Sequence, residues 1–211
     1  GKGWRWRRWL VSVTAAVMLL ALMAGSWLQV GFWKDSIKLF KHALDVTNNN
    51  YIAHYTLGNA LALQGNLAGS VSHYNKALQI NPNFAEAHNN LGNALALQGN
   101  LTGAISHYNK ALEINPDHAE AHRNLAVGLD RQGKHQEALQ HYEEALRISP
   151  HDAQSHNNLG VALAEQGRLE EAVVHFTEAL RIDPNFKEAQ RNLELSQELM
   201  EKPSTGSEGA Q

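Results

Sequence analysis

The chain repeats itself every 34 residues, and this period constrains the fold more than any other feature. The stretch AHYTLGNALALQGN at residues 53–66 returns as AHNNLGNALALQGN at residues 87–100. Four blocks of this length follow one another without a gap, at residues 51–84, 85–118, 119–152 and 153–186. A fixed period of this size indicates a solenoid, because one such unit cannot bury its apolar face without its neighbours.

Each block has the pattern of two amphipathic helices. Apolar and small residues recur at positions 7, 8 and 11 of the block and again at positions 20, 24, 27 and 28, which is the three-and-four spacing of a helix face. Glycine at position 15 is suited to end the first helix, and proline at position 32 to end the second. The pairs Asn83/Glu86, Asp117/Glu120 and Asn185/Glu188 resemble capping boxes for the helices that follow. The sequence therefore predicts an all-α fold of paired helices.

The block resembles the tetratricopeptide repeat (TPR). The resemblance is carried by Leu-Gly at positions 7 and 8, small residues at positions 20 and 27, an aromatic residue at position 24 and proline at position 32. It implies a right-handed superhelical solenoid whose first helices line a concave groove for a protein or an extended peptide. The chain departs from the family at position 4, where the family often has Trp and this chain has His54, His88, His122 and His156.

The segments on either side of the four blocks extend the pattern. Residues 34–50 align with the second helix of a partial repeat, and residues 187–202 read as a solvated capping helix. The small polar tail at residues 203–211 is predicted to be disordered.

An uncharged stretch at residues 9–33 precedes the repeats. As a helix, Leu10 to Val30 would be about 30 Å long, which matches the hydrocarbon core of a bilayer. A cleaved signal peptide is the alternative, but its apolar core usually has only about 7 to 15 residues. The basic flank at residues 1–8 contains no acidic residue. The positive-inside rule therefore predicts a single-pass membrane protein with a cytoplasmic N-terminus and repeats in the periplasm or another extracytoplasmic space.

Composition excludes several functions. After residue 34 the chain has 13 basic and 21 acidic residues and no basic stripe, which argues against a nucleic-acid partner. Cysteine is absent, so disulfides and thiolate chemistry are excluded. No nucleophile elbow, phosphate loop or paired-carboxylate framework is present, so we expect neither an enzyme nor a cofactor.

Eight of the twelve histidines fall at two positions of the block. Position 4 holds the four named above, and position 23 holds His73, His107, His141 and His175. Equivalent histidines lie one repeat apart, too far for one metal ion to be shared through bonds of about 2 Å. We therefore predict no metal site, and expect each ring to pack between helices and donate one N–H.

Asparagine at position 6 is the candidate binding feature. Thr56 is followed there by Asn90, Asn124, Asn158 and Asn192. This series resembles the asparagine ladder in the superhelix of O-linked N-acetylglucosamine transferase, whose amides clasp the backbone of an extended peptide. A carboxamide has both a donor and an acceptor and so matches a peptide group. Side-chain selectivity is expected from positions 2, 5 and 9, which hold Glu86, Glu120, Asn89, Arg123, Asn157, Asn59 and Asn93. The alternative is that asparagine at position 6 is an ordinary solvated residue.

Two functional hypotheses follow. The first is a membrane-anchored scaffold that holds a partner, either transiently or as a permanent subunit of a membrane complex. The second rests on residues 9–65, whose junction of apolar helix and repeats resembles multi-spanning membrane-and-TPR proteins of the lipid-linked O-mannosyltransferase type. Under that resemblance the chain would be a non-catalytic C-terminal part that lacks the family's catalytic acids.

Overall fold

The computed structural model describes residues 36–201, and within this range the chain forms ten α-helices and no strand. In chain order these are α1 (Ser36–Val46), α2 (Tyr51–Leu63), α3 (Leu67–Ile80), α4 (Ala85–Leu97), α5 (Leu101–Ile114), α6 (Ala119–Arg131), α7 (His135–Ile148), α8 (Ala153–Glu165), α9 (Leu169–Ile182) and α10 (Lys187–Glu201). The chain divides between Asn81 and Pro82 into two compact units, one with α1 to α3 and one with α4 to α10. The prediction of an all-α fold of successive paired helices is confirmed.

The segments predicted to lie in or beside a membrane are outside the described residues. These are the basic flank at residues 1–8 and the apolar stretch at residues 9–33, and the C-terminal tail at residues 203–211 also lies outside. Between residues 36 and 201, none of the helices is both long enough and apolar enough to cross a bilayer.

In the first two repeats a Gly-Asn pair ends the first helix and begins the second. Gly99 has the positive φ of 83° that was predicted for position 15, and the three equivalent glycines have φ between 76° and 78°. The N–H groups of Gly99 and Asn100 donate to the carbonyls of Ala96 and Leu95, which completes a Schellman motif. The Asn100 side chain then accepts the Gly103 N–H at 3.0 Å and caps α5.

The predicted capping boxes are wrong by one residue. Helix α4 is capped at Phe84, with no side-chain cap bond, and α6 is capped at His118, which accepts the Ala121 N–H at 3.4 Å. The side chain of Asn115, just before the proline, accepts the Asp117 N–H at 3.2 Å. In this Asx turn the backbone N–H of Asp117 is already bonded to the Asn115 side chain. Asp117 therefore belongs to the turn, and helix α6 begins two residues later, at Ala119.

Close approach of the two helices in each repeat depends on a small residue at position 8. A Cβ added to Gly92 would lie 2.5 Å from the nearest ring carbon of Tyr108, a distance that real atoms do not adopt. Tyr108 is buried, as are Ala104 and Ala111 on either side of it. The third repeat has Ala126 at position 8, and that residue is completely buried. The aromatic residue at position 24 therefore packs directly against the backbone of the first helix.

Each repeat contains a hydrogen-bonded pair of histidines. The Nδ1 atoms of positions 4 and 23 lie 2.9 or 3.0 Å apart in the pairs His54/His73, His88/His107, His122/His141 and His156/His175. In three of the pairs the Nε2 of the position-4 ring also lies 2.9 to 3.2 Å from the carbonyl of the preceding proline. The prediction that these rings lie between helices is confirmed, and in each pair one Nδ1 must donate to the other.

Hydrogen bonding determines which nitrogen of each ring carries the proton. In the second repeat, the Pro82 carbonyl can only accept, so His88 must donate to it from Nε2. In the neutral ring His88 Nδ1 is then the acceptor for an N–H on Nδ1 of His107. A proton added to both rings would place two Nδ1–H groups against each other. Burial lowers the pKa of both rings, and the nearby charge of Lys110 lowers that of His88 further.

Acid is therefore predicted to destabilise the repeats before the carboxylates titrate. Burial lowers the folded pKa of six of the eight paired histidines below the unfolded value of about 6.5, so the unfolded chain binds more protons as the pH falls. These six are His54, His73, His88, His107, His141 and His175. Stability should be complete above that pH and decline below it. Thermal unfolding between about pH 7.5 and 5.5 measures this, and an unchanged melting temperature would contradict the pairing.

A matched pair of variants assigns the effect. His107→Gln keeps a side-chain N–H for His88 but removes one titrating ring, so the acid-induced decline should become shallower. His151→Gln removes an exposed histidine that belongs to no pair and should leave the decline unchanged.

Candidate peptide-binding groove

The first helices of the second unit form one continuous surface. Helices α4, α6, α8 and α10 each contact the next helix of that series, whereas the second helices α5, α7 and α9 do not contact one another. A stack whose layers approach more closely on one side bends around that side. We call the inner surface formed by α4, α6, α8 and α10 the first-helix face.

The asparagines of position 6 lie on this face and are half-buried. Two of them are held by the preceding repeat. The Asn124 side-chain amide donates to Oδ1 of Asn89 at 3.0 Å, and the Asn192 amide donates to Oδ1 of Asn157 at 3.0 Å. Asn89 and Asn157, at position 5, are only 1% and 4% exposed. The structure therefore places a buried carboxamide behind two of the four predicted ladder residues.

The other two ladder residues are held by neighbours on their own helix. The Asn89 amide donates to Oδ1 of Asn90 at 3.3 Å, and the Gln154 amide donates to Oδ1 of Asn158 at 3.1 Å. Each position-6 carboxamide thus uses one of its polar atoms inside the protein, and the chain of bonds fixes its rotamer. Gln154 lies at position 2 of the fourth repeat, where the sequence predicted contact with partner side chains, and in the structure it bonds its i, i+4 neighbour Asn158 instead.

Arg123 occupies position 5 between the two buried asparagines. Its guanidinium forms an ion pair with Asp152, which caps α8 and also accepts a hydrogen bond from Ser155. Burial would raise the pKa of the Asp152 carboxyl, but the Ser155 hydroxyl and the Arg123 charge together lower it. Arg123 is half-buried. One nitrogen of its guanidinium donates to Asp152 and so joins α6 to the start of α8.

The asparagines of position 9 contact the tyrosines of position 24. In the first unit the Tyr74 hydroxyl donates to Oδ1 of Asn59 at 2.8 Å, and in the second unit the Tyr108 hydroxyl donates to Oδ1 of Asn93 at 2.8 Å. Burial raises the pKa of both tyrosines to about 12.

A cavity of about 300 Å³ opens between the third and fourth repeats. It is lined by Val127, Asp130, Arg131, Tyr142, Asn158, Val161 and Glu165. One ladder residue, Asn158, thus belongs to both the ladder and the cavity. The cavity was missed from the sequence, although one signal was available: position 9 changes from asparagine to valine in the third repeat while position 24 remains tyrosine.

Glu86 and Glu120, predicted at position 2, are exposed near the start of α4 and α6. Within residues 36–201 no group of three or more histidine and carboxylate side chains is arranged to hold a metal ion. The side-chain amides at positions 5 and 6 are polar groups of the first-helix face that are bonded to one another.

Comparisons with known solved structures agree with this architecture. A crystal structure of MamA is 26% identical, with a TM-score of 0.64, covering 77% of this chain and 94% of that chain. A crystal structure of YrrB, called a TPR protein with an unusual peptide-binding site, is 22% identical with a TM-score of 0.63, covering 78% of this chain and 85% of that chain. At that identity YrrB shows a shared fold alone.

Sequence comparisons identify the repeats. A comparison with curated protein sequences gives no match, and nothing in the comparisons supports the resemblance of residues 9–65 to O-mannosyltransferase-type proteins. Three family models of the tetratricopeptide repeat match, at residues 58–99, 83–151 and 123–185, and together they span more than half of the chain. The chain belongs to the tetratricopeptide repeat family.

Proposed function

We propose that this chain is a membrane-anchored, non-catalytic scaffold that holds an extended segment of a partner protein along its first-helix face. The support is the row of carboxamides at Asn90, Asn124, Asn158 and Asn192, spaced by one repeat. An extended peptide presents a carbonyl and an N–H at regular intervals, and each carboxamide can bond one of them. Each bond contributes about 0.5–1.5 kcal/mol, so the row gives affinity with little dependence on the partner's sequence.

The observation that carries the proposal is the buried support behind the ladder. A solvated surface asparagine has no need of a second, buried asparagine to orient it. Asn89 and Asn157 bury a polar group and use it to fix Asn124 and Asn192. Such fixing reduces the rotamer entropy that binding would otherwise cost, which is how preorganised sites gain affinity.

This support changes the roles expected from the sequence. Asn89 and Asn157 were expected to select partner side chains, but their burial suits them to positioning the ladder. Arg123 and the amide group of Asn93 remain candidates for direct contact, since both residues are half-buried.

The membrane anchor is proposed from the sequence of residues 9–33 alone. That stretch has no charged residue, and the basic residues that precede it favour a cytoplasmic N-terminus. The repeats would then hold their partner in the periplasm or an equivalent extracytoplasmic space, beside the bilayer. A partner that stays bound through purification would make the chain a subunit of a membrane complex.

The triple substitution Asn90/Asn124/Asn158→Ala is predicted to lower partner recovery at least about tenfold, because three backbone-directed bonds are lost. The measurement is quantitative mass spectrometry of proteins captured by the tagged full chain from a membrane extract. Asn75/Asn109/Asn185→Ala is the matched control, since those three exposed asparagines are not on the first-helix face. Equal recovery by both variants would contradict the ladder.

Asn157→Ala tests the supporting role separately. It leaves all four ladder residues in place but removes the acceptor for Asn192, so affinity should fall roughly two- to tenfold. Binding of a partner captured with the unaltered chain provides the measurement, beside a melting curve that accounts for any loss of folding. An affinity equal to that of the unaltered chain at equal folded fraction would refute the role.

The double substitution Leu19→Arg and Leu20→Arg tests the anchor. Each charge in the middle of a membrane helix costs about 2.5–3.5 kcal/mol, so the chain should move from the carbonate-resistant membrane fraction to the soluble fraction. Leu63→Arg is the control, because Leu63 is 91% exposed in a described helix. Retention of the double variant in the membrane would contradict a single-pass anchor.

A further inference from the structure

In three of the four repeats the residues at positions 9 and 24 are either both able to hydrogen-bond or both apolar. The first two repeats pair a tyrosine with an asparagine whose Oδ1 accepts its hydroxyl, as Tyr74/Asn59 and Tyr108/Asn93. The fourth repeat has Phe176 with Val161 and requires no polar partner. The third repeat alone combines a tyrosine, Tyr142, with a valine, Val127.

This mismatch leaves the Tyr142 hydroxyl without a hydrogen-bond partner among residues 36–201. The side chain is 97% buried, with an exposure of only 3%. No side-chain oxygen in the described range is both fully enclosed and unbonded, so the Tyr142 oxygen must reach solvent. Tyr142 lines the 300 Å³ cavity between the third and fourth repeats, and its hydroxyl therefore faces into that cavity.

The walls of the cavity combine an apolar lining with acceptors. Val127 and Val161 provide the apolar part, and Asp130 and Glu165 provide two carboxylates. Asp130 uses Oδ1 to accept from His135 at 2.8 Å, which leaves Oδ2 for a ligand. Burial first, and then the negative charges of Asp130 and Glu165, raise the pKa of Tyr142, so its hydroxyl stays protonated and close to both acids.

The charge of the surroundings favours a cation. Arg131 also lines the cavity, so the lining carries two negative charges and one positive charge. Residues 82–201 as a whole contain 9 basic and 18 acidic side chains. Such an excess attracts cationic groups and disfavours a ligand carboxylate.

We propose that this cavity binds the side chain of a lysine in the partner peptide. The four-carbon stem lies against Val127 and Val161, and the ammonium donates its three N–H groups to Asp130, Glu165 and the Tyr142 oxygen. Asn158, at the edge of the same cavity, holds the backbone of the lysine residue through its amide. The inference rests on the proposed function, since it places one specificity pocket along the ladder.

The experiment uses a fluorescein-labelled eleven-residue Ser-Gly peptide with one central lysine, and the same peptide with norleucine, arginine or glutamate at that place. Fluorescence anisotropy with the full chain should show the lysine peptide bound about tenfold more tightly than the norleucine peptide, because charged hydrogen bonds are lost in the latter. Equal binding of the two would overturn the lysine pocket while leaving the ladder intact. Tighter binding of the arginine or glutamate peptide would also overturn it.

Two variants test the residues named. Val127→Asn supplies Tyr142 with the hydrogen-bond partner found in the first two repeats and replaces an apolar wall of the cavity by a polar one, so the preference for lysine should fall. Glu165→Gln, at an exposed residue, removes one carboxylate without altering the core and should lower the preference several-fold. A preference unchanged in both would refute the assignment.

A third variant separates the pocket from the ladder. Asn90/Asn124→Ala should weaken all four peptides to a similar degree and keep the lysine preference. A failure of every peptide to bind the unaltered chain would overturn both proposals, whereas loss of the preference alone overturns only the pocket.

Discussion

The contact on which the structure depends is the aromatic ring of position 24 lying directly on the first helix at position 8. At Gly92 only glycine leaves room for the ring, because an added Cβ would lie 2.5 Å from Tyr108, and the third repeat has the next smallest residue, Ala126, at the same position. This contact brings the two helices of a repeat together. It also places the tyrosine hydroxyl beside the position-9 side chain of the first helix. The residue at position 9 then determines the outcome. Asparagine there accepts a hydrogen bond from the hydroxyl, whereas Val127 in the third repeat lines a cavity.

Polar groups then join the parts that this packing brings together. Paired histidines connect the two helices of each repeat, and in three repeats they also bond to the preceding proline carbonyl. Buried asparagines connect successive first helices at Asn89–Asn124 and Asn157–Asn192. Because each bond is made at a fixed position of the repeat, the polar surface inherits the regular spacing of the backbone. An extended peptide has a regular spacing too, which is the physical reason to connect this surface with peptide binding.

Much of this follows from the sequence, and the exceptions have identifiable causes. The period, the left-handed glycines and the structural histidines are evident from position patterns, because local helix geometry determines them. The bonds from Asn124 to Asn89 and from Asn192 to Asn157 were not predicted, since they depend on how one repeat is rotated against the next. The capping boxes failed because the residue before the proline forms an Asx turn, and its side chain accepts the Asp117 N–H that a capping box would use. The cavity at Tyr142 was detectable only by comparing positions 9 and 24 together.

The central claim is that a partner lies along the first helices and not along the second. Site-specific photo-crosslinking in cells tests it most directly, with a photoreactive residue at Gln154, beside Asn158, or at Gln140, exposed on the second helix α7. The account predicts a covalent adduct with a partner protein from position 154 and none from position 140. An adduct from position 140 alone, or equal adducts from both positions, would contradict it.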